Sequence, residues 1–415
     1  MNYRNNKTFL GVITLCLLCF PFIIESNSLW TFLGIQRMNP NFFDLHVLLT
    51  AIDGYHDGID VFRNNPLCKY NIPHVYSKAW FIFHYIGFSE NNRIFIGGLT
   101  IILFCGGVLY LTKKCLLLFI PFMCSPAVLL GIERCNNDLL IFLLLLAVCP
   151  LALSNKKTLF ILSHLLLFLA ISLKYYPVAF SLVYLFRKGP VIKRFSNISF
   201  HLIFFTIWIF YCWSELQFQK TTLPDPSYYS CFGISPLITV LGNLFKFSKF
   251  TSFSIIIILS LVFVIFIYSF YRKNLLLEKE RIKNNDFKKS LCLGGISILL
   301  FCYLVRSSFD YRMIFLFFAL PYFLNYKLQK STFFLYKLLS PFFILILFIL
   351  SSWSESFISF VIQISSEIEI DDILPFYLFT VRLIELFINH FAFMVLSAFG
   401  MHLVFTKNVK PKLDF

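Results

Sequence analysis

Apolar stretches close to the length of a membrane-crossing helix recur along the whole chain, and nothing else in the sequence limits its fold so strongly. They cover residues 9–24, 93–111, 115–131, 138–154, 158–173, 175–186, 198–215, 251–271, 291–305, 313–324, 338–352 and 389–405. In hydrocarbon no water is present to pair backbone groups, so a spanning segment must be a helix or a strand of a closed barrel. Barrel strands alternate apolar and polar residues over about ten positions, whereas these stretches are continuous. The expected fold class is therefore an all-α polytopic membrane protein, with about 12 transmembrane or re-entrant helices. Residues 175–186 and 313–324 fall well short of the ~20 residues a simple spanning helix needs. They are expected to be tilted, broken or re-entrant. Composition agrees: 58% of the residues are hydrophobic and 14% charged, against roughly half and a quarter in a soluble domain.

The net charge of +15 raises nucleic acid as a partner. The basic residues, however, sit in short clusters between apolar stretches, which is the pattern of topology signals and not of a binding face. Placing Arg4 inside, then alternating sides, puts 23 of the 36 Lys and Arg residues in short inside segments. That bias predicts two cytoplasmic termini. The stretch 9–24 resembles a signal peptide but lacks a small-residue cleavage site, so an uncleaved helix is expected. The outside segments are 25–92, 216–250 and 353–388. The last carries Glu367, Glu369, Asp371 and Asp372, and residues 373–388 are expected to form an amphipathic helix on the outer surface. No repeat or separate soluble domain is visible, so residues 1–415 read as a single transmembrane domain.

Most of the 12 cysteines lie within apolar stretches, where a thiol behaves as a small packed hydrophobe. Cys16 and Cys19 are two of these. Cys68, Cys135 and Cys231 fall outside, where an oxidising compartment permits pairing. His46, His56, His74 and His84 share the first outside segment, but their spacing matches no metal-ligand signature. No metal and no cofactor are expected.

Four groups of polar residues interrupt the apolar pattern on the outside. In the first outside segment, Asn39 and Pro40 read as a helix cap and first turn. Phe42, Leu45, Leu48, Leu49 and Ile52 then form one apolar face, with Gly54 and Gly58 at the end. A helix lying on or dipping into the outer leaflet is expected. Asp44 is in its first turn, suited equally to a general base and to a solvated carboxylate favoured by the helix N-terminus. Asp53, Asp57 and Asp60 read as solvated or turn-forming. Second, residues 131–138 form a tight turn carrying Glu133, Arg134, Asn137 and Asp138; Glu133 and Arg134 suit an internal ion pair or a phosphate site. Third, Lys174 precedes Tyr175, Tyr176 and Pro177, a helix break where a lysine either snorkels or holds an anion. Fourth, Arg306, Asp310 and Arg312 share the last such turn. One arginine there can pair with Asp310, and arginine is the better residue for bidentate phosphate contact. All four groups fall on one predicted membrane face, as an anionic headgroup in the outer leaflet would require.

The pattern resembles the polytopic GT-C glycosyltransferases, most closely the polyprenyl-phosphate-mannose-type α-mannosyltransferases of glycosyltransferase family 87. The likeness covers most of the chain but rests on short stretches. That family has a large outside loop after its first helix, as 25–92 is here. In it an Asp leads into an Ala- and Gly-rich helix and a G-x-D/N-x-Y turn. Here Asp44-Leu45-His46-Val47 runs into Ala51, Gly58, Asp60 and Phe62, with Phe in place of Tyr. Tyr70 to Tyr76 matches the family's Tyr-Pro-Pro step loosely. Glu133-Arg134-Cys135-Asn136-Asn137-Asp138 resembles its G-N/Q-x-N/D-x-L helix start, with Cys135 where Gly is common. Lys174-Tyr175-Tyr176-Pro177 resembles its K-x-Y-P step. Arg306 to Arg312 occupies the place of its late outside loop.

The resemblance implies transfer of a hexose, with mannose the first expectation, from a polyprenyl-phosphate sugar donor to a lipid- or glycan-linked acceptor at the outer membrane face. By analogy Asp44 deprotonates the acceptor hydroxyl. Arg134, Lys174, Arg306 and Arg312 bind the donor phosphate, with Glu133, Asn137, Asp138, Tyr176 and Asp310 in support. The donor's tail lies among membrane lipids, and no metal is required. A polysaccharide polymerase or ligase is an alternative, although its largest outside loop is expected late in the chain. A transporter or flippase of lipid-linked sugars is another, although internal repeats and midplane polar residues are expected there.

Overall fold

The computed structural model describes residues 30, 35, 37–112, 122–222, 231–232, 235, 237–239, 242, 246, 248–275, 286–305, 308–323, 346–347 and 374–406. The stretch 9–24 with Cys16 and Cys19, most of 338–352, and the acidic run 367–372 lie outside these residues. Helices dominate: α1 (Phe43–His56), α2 (Arg93–Thr112), α3 (Pro126–Glu133), α4 (Asp138–Ala152), α5 (Lys157–Leu173), α6 (Val191–Tyr211), α7 (Trp213–Thr222), α8 (Lys249–Leu275), α9 (Asp286–Val305), α10 (Leu320–Phe323) and α11 (Leu374–Thr406). Further 3-10 helices cover Lys78–Ile86, Glu90–Asn92, Tyr176–Phe186 and Asp310–Phe318. The described strands are two residues each, β1 (Cys231–Phe232) and β2 (Ser308–Phe309), paired antiparallel.

Among the described residues, four helices are long and apolar enough to cross a membrane: Glu90–Thr112, Phe250–Ser269, Asp286–Val305 and Ile384–Val404. The count becomes five if α3 and α4, which meet at 104°, form one broken span. Their outer faces suit hydrocarbon. On α2, Ile94, Phe95, Leu99, Ile102 and Leu103 are exposed, while Ile101, Phe104 and Val108 are buried. On α8 the exposed residues include Ile258, Leu259, Val262, Ile265 and Phe266. Contiguous apolar surface on this scale is unfavourable in water.

The described residues group into two compact units, Met1–Leu143 with Cys212–Pro224 and Ser352–Val381, and Leu144–Tyr211 with Asp225–Ser351 and Arg382–Phe415. In the first unit α1 is the centre. It packs against the 3-10 helices Lys78–Ile86 and Glu90–Asn92 and against α2. Phe43, Leu45, Val47, Leu48, Leu49, Ala51 and Ile52 are all buried, as are His46 and Thr50. This corrects the expectation of a one-faced helix on the leaflet surface: flanking segments cover α1 on nearly all sides. Lys78 Nζ forms an ion pair with Glu215 Oε1 at 2.9 Å, tying the Lys78–Ile86 helix to α7.

In the second unit α9 packs along the 3-10 helix Tyr176–Phe186. A 3-10 helix rises about 2 Å per residue and holds its carbonyls poorly. Two hydroxyls one helix face apart serve two of these carbonyls: Ser290 Oγ donates to Val183 O at 3.1 Å and Ser297 Oγ to Ala179 O at 2.7 Å. Gly294 lies between them, and a Cβ there would sit 2.3 Å from the Phe180 ring, so the helices meet without a side chain between them. Of the two stretches that looked too short to span, 175–186 is 3-10 helix from Tyr176 onward, and 313–324 is 3-10 helix to Phe318 and then α10. From Leu374 onward the stretch expected as a separate surface helix is continuous with the apolar stretch that follows it. The backbone runs as one 33-residue helix, α11, about 50 Å long against a hydrocarbon core of about 30 Å.

Candidate functional site

Asp44 sits one residue into α1, and the start of that helix differs from the sequence expectation. Asn39 does not cap it. The Asn39–Pro40 peptide is cis, Phe42 adopts a left-handed backbone with φ 60°, and the helix begins at Phe43 with no side-chain cap. The free N–H groups of a first turn need acceptors. Here they find the backbone carbonyl of Arg134, which accepts from Asp44 N at 3.1 Å and from Leu45 N at 3.4 Å. A carbonyl ninety residues away thus does the work of a local cap.

The same turn supplies the partners of the Asp44 side chain. Arg134 Nη1 lies 3.9 Å from Asp44 Oδ1, with the two side chains 23% and 15% exposed. Asn136 Nδ2 donates to Asp44 Oδ2. Asn136 Oδ1 meanwhile accepts from Asp138 N at 2.9 Å, capping the start of α4. One amide therefore joins the Asp44 carboxylate to the N-terminus of the next helix. Cys135, between them, has φ 44°, a left-handed backbone that non-glycine residues adopt uncommonly. Its Sγ lies 3.8 Å from Gly97 O on α2. Cys135 and Cys68 are both free thiols and both buried.

Glu133 ends α3 and does not pair with Arg134. Its Oε1 accepts from the backbone N of Met38 at 3.2 Å, and its Oε2 has no hydrogen-bond partner. Asn137 and Asp138 are buried at the start of α4. The structure thus assembles Asp44, Glu133, Arg134, Asn137 and Asp138 around one bend. Asn136, not singled out in the sequence, also holds the carboxylate.

The second unit carries another group. Lys174 ends α5 and is buried. Its Nζ lies 5.9 Å from the centroid of the Tyr176 ring, and the guanidinium of Arg312 lies 5.3 Å from the same ring. Phe315 packs edge-on to Tyr176 at 5.4 Å. Two cations therefore address one aromatic ring, each contact worth about 0.5–2 kcal/mol. Asp310 opens the 3-10 helix Asp310–Phe318. Arg306 lies outside the described residues. The two groups belong to different compact units, and each stands by itself here.

The first unit contains one more polar network that sequence reading missed. Lys69 N donates to His46 Nε2 at 3.2 Å, while Nδ1 lies 2.9 Å from Glu90 Oε1 and 3.2 Å from Arg93 Nη1. Arg93 pairs with the same Glu90. Glu90 and Arg93 are three residues apart, a spacing that signals a helical ion pair; nothing local pointed to His46. Asp53 is no bystander either: its Oδ2 accepts from Glu90 N at 2.9 Å and Ser89 Oγ at 3.3 Å. Asp57 and Asp60 are exposed, and Asp60 pairs with Arg63 at 3.4 Å. Among the described residues no group of three or more His, Cys, Asp and Glu is arranged to hold a metal ion.

No protein-family model matches the chain, and no curated protein or solved structure matches it.

Proposed function

We propose that the chain is a membrane glycosyltransferase with a GT-C-like arrangement of about twelve helices and both termini cytoplasmic. It moves a hexose from a polyprenyl-phosphate donor to a lipid- or glycan-linked acceptor at the outer face. The observation that carries this reading is the seating of Asp44. Its carboxylate is mostly buried, lies at the start of an enclosed helix, and is aimed by Asn136 and Arg134. A carboxylate fixed by a donor amide and a guanidinium is held ionised and oriented, as a general base must be. In the proposed step the acceptor oxygen attacks the anomeric carbon as its proton passes to Asp44. The bond from that carbon to the phosphate oxygen breaks, and the polyprenyl phosphate leaves with the electron pair. A single displacement inverts the anomeric centre. The leaving phosphate needs positive charge, and Arg134 in the same compact unit stands beside Asp44 to supply it. In this scheme Arg134 first orients Asp44 and then faces the developing charge.

A second reading has one observation in its favour. The 104° break between α3 and α4 is the kind of discontinuous helix with which transporters line a substrate path. A flippase of lipid-linked sugars would use the same cation without Asp44 chemistry.

The experiment is sugar transfer in nanodiscs, with a panel of polyprenyl-phosphate hexoses as donors and extracted membrane lipids as acceptors. The wild-type chain is expected to transfer one of them. Asp44→Asn keeps the size of the side chain but takes no proton, so turnover should fall about 10²–10⁴-fold while donor binding persists. Asp57→Asn and Asp60→Asn, both exposed, serve as controls. Sugar-lipid translocation without transfer would favour the flippase.

A further inference from the structure

The bend between α3 and α4 holds more unpaired polar atoms than a structural turn has reason to keep. Asn137 is 6% exposed, yet neither its side-chain nitrogen nor its oxygen has a hydrogen-bond partner. Glu133 is also 6% exposed, with Oε2 unpartnered. Arg134 Nε, behind the nitrogen that meets Asp44, is unpartnered as well. More than about nine in ten buried polar groups in folded proteins are paired. Two donors and two acceptors left over within five residues form a set, and the set describes what it would bind.

A phosphate offers acceptors alone. It would serve Asn137 Nδ2 and Arg134 Nε, but it would leave the acceptors Asn137 Oδ1 and Glu133 Oε2 unmet. An acyl chain offers nothing to any of the four. A hydroxyl donates one hydrogen bond and accepts others, so a ring bearing several hydroxyls meets donors and acceptors together. Resting on the reading of this chain as an enzyme of lipid-linked sugars, we propose that Glu133 and Asn137 recognise the hydroxyls of the sugar ring and set which hexose is taken. Phosphate contact is left to cations. The side-chain amide addresses one hydroxyl as donor and its neighbour as acceptor, and Glu133 Oε2 accepts from a third. An epimer with one hydroxyl turned away leaves one of these buried groups unmet. Sites that hydrogen-bond a hydroxyl discriminate strongly for this reason.

The test uses the full chain in nanodiscs and compares undecaprenyl phosphate with undecaprenyl phosphate carrying mannose, glucose or galactose. Wild type is expected to bind one sugar-bearing lipid more tightly than the sugar-free lipid. Asn137→Leu should cut that preference by about ten- to a hundredfold, the worth of a buried polar contact, and leave sugar-free binding unchanged. Glu133→Gln places a donor where an acceptor stood and should change the order of the three sugars. Sugar-free binding reports that each variant is folded, and Asn137→Ser is the milder companion should the leucine variant fail to insert. A wild-type chain with no sugar preference overturns the proposal. So do variants that keep the preference, or that weaken all four lipids equally. Sugar preference lost as expected, in a chain that transfers nothing, would sink the glycosyltransferase reading and leave this recognition site standing.

Discussion

Asn136 donates to the Asp44 carboxylate with its side-chain nitrogen and caps α4 with its side-chain oxygen. The two roles separate by substitution. Serine is a good helix cap but too short to hold Asp44, whereas alanine does neither. Asn136→Ser should keep near wild-type thermal stability and lose about ten- to a hundredfold in turnover, the worth of one hydrogen bond to a charged group. Asn136→Ala should lose the same turnover and a further ~1 kcal/mol of stability. Thermal unfolding and turnover of both variants in nanodiscs check this. Full turnover in the serine variant would mean that Asn136 is not needed to fix the carboxylate.

Gly97 sets how closely α2 approaches the start of α1. A Cβ at Gly97 would lie 2.5 Å from the Phe42 ring, while one at Gly98 would meet nothing within 4 Å. Phe42 is the left-handed residue that turns the chain into α1 two positions before Asp44. Gly97→Ala should therefore overpack this junction, costing about 1–3 kcal/mol, and lower turnover through misplacement of Asp44. Gly98→Ala, on the same helix with the same gain in helix propensity, should be neutral or slightly stabilising. Equal behaviour of the two variants would refute the close-approach argument.

The sequence located the apolar helices to within a residue or two where hydropathy alone decides their ends. The stretches 93–111 and 158–173 became Arg93–Thr112 and Lys157–Leu173, since only the change from apolar to polar residues marks those ends. Asp44 and the bend at 131–138 were also legible, because charge in an apolar chain has few explanations. Their joining was not. The first turn of α1 is capped by the carbonyl of Arg134, and a backbone group carries no sequence signal. Asn39-Pro40 looked like a cap because local rules assume a local acceptor. The role of Asn136 was hidden for a related reason. Adjacent asparagines are equivalent in sequence, and only the left-handed turn at Cys135 decides which one faces Asp44. Residues 373–388 misled through their amphipathic pattern, since a helix that emerges from the bilayer shows one as readily as a helix lying on it.

His74 makes the segment that follows α1 sensitive to acid. Its ring is buried against Phe62 and Phe81 and meets Ser77 O at 3.4 Å. Burial disfavours the charged ring and pulls its pKa from 6.5 down to about 4, with the Ser77 carbonyl opposing weakly. The unfolded segment therefore takes up a proton before the folded one does. Above pH 6.5 neither form is protonated and stability is flat. Between 6.5 and 4 stability falls with pH, by at most about 3 kcal/mol. Hydrogen exchange over residues 61–77 should accelerate across that window, beyond the intrinsic pH dependence of exchange. His74→Gln should remove the added acceleration. A variant that keeps the full effect would assign it to another group.

The 3-10 helix Tyr176–Phe186 decides the topology of the middle of the chain. At about 2 Å per residue its 11 residues reach roughly 22 Å, short of the ~30 Å hydrocarbon core. Length alone favours a re-entrant segment, with Lys174 and Arg187 on the same side. Charge argues the other way. Arg187, Lys188, Lys193 and Arg194 follow within eight residues, and short loops with such a cluster stay cytoplasmic. Lys174 at the opposite end is a single cation. Local thinning of the bilayer costs only fractions of a kcal/mol per Å of mismatch, while carrying four cations across costs several times more. The segment should therefore cross. Reporter fusions after Lys156 and Arg187 should read as cytoplasmic, and fusions after Asp57 and Tyr175 as external. An external signal after Arg187, with Lys156 still inside, would make the 3-10 helix re-entrant and reverse the expected side of every segment that follows. An internal signal after Asp57 would put the Asp44 carboxylate on the cytoplasmic face and end the case for an outer-leaflet donor.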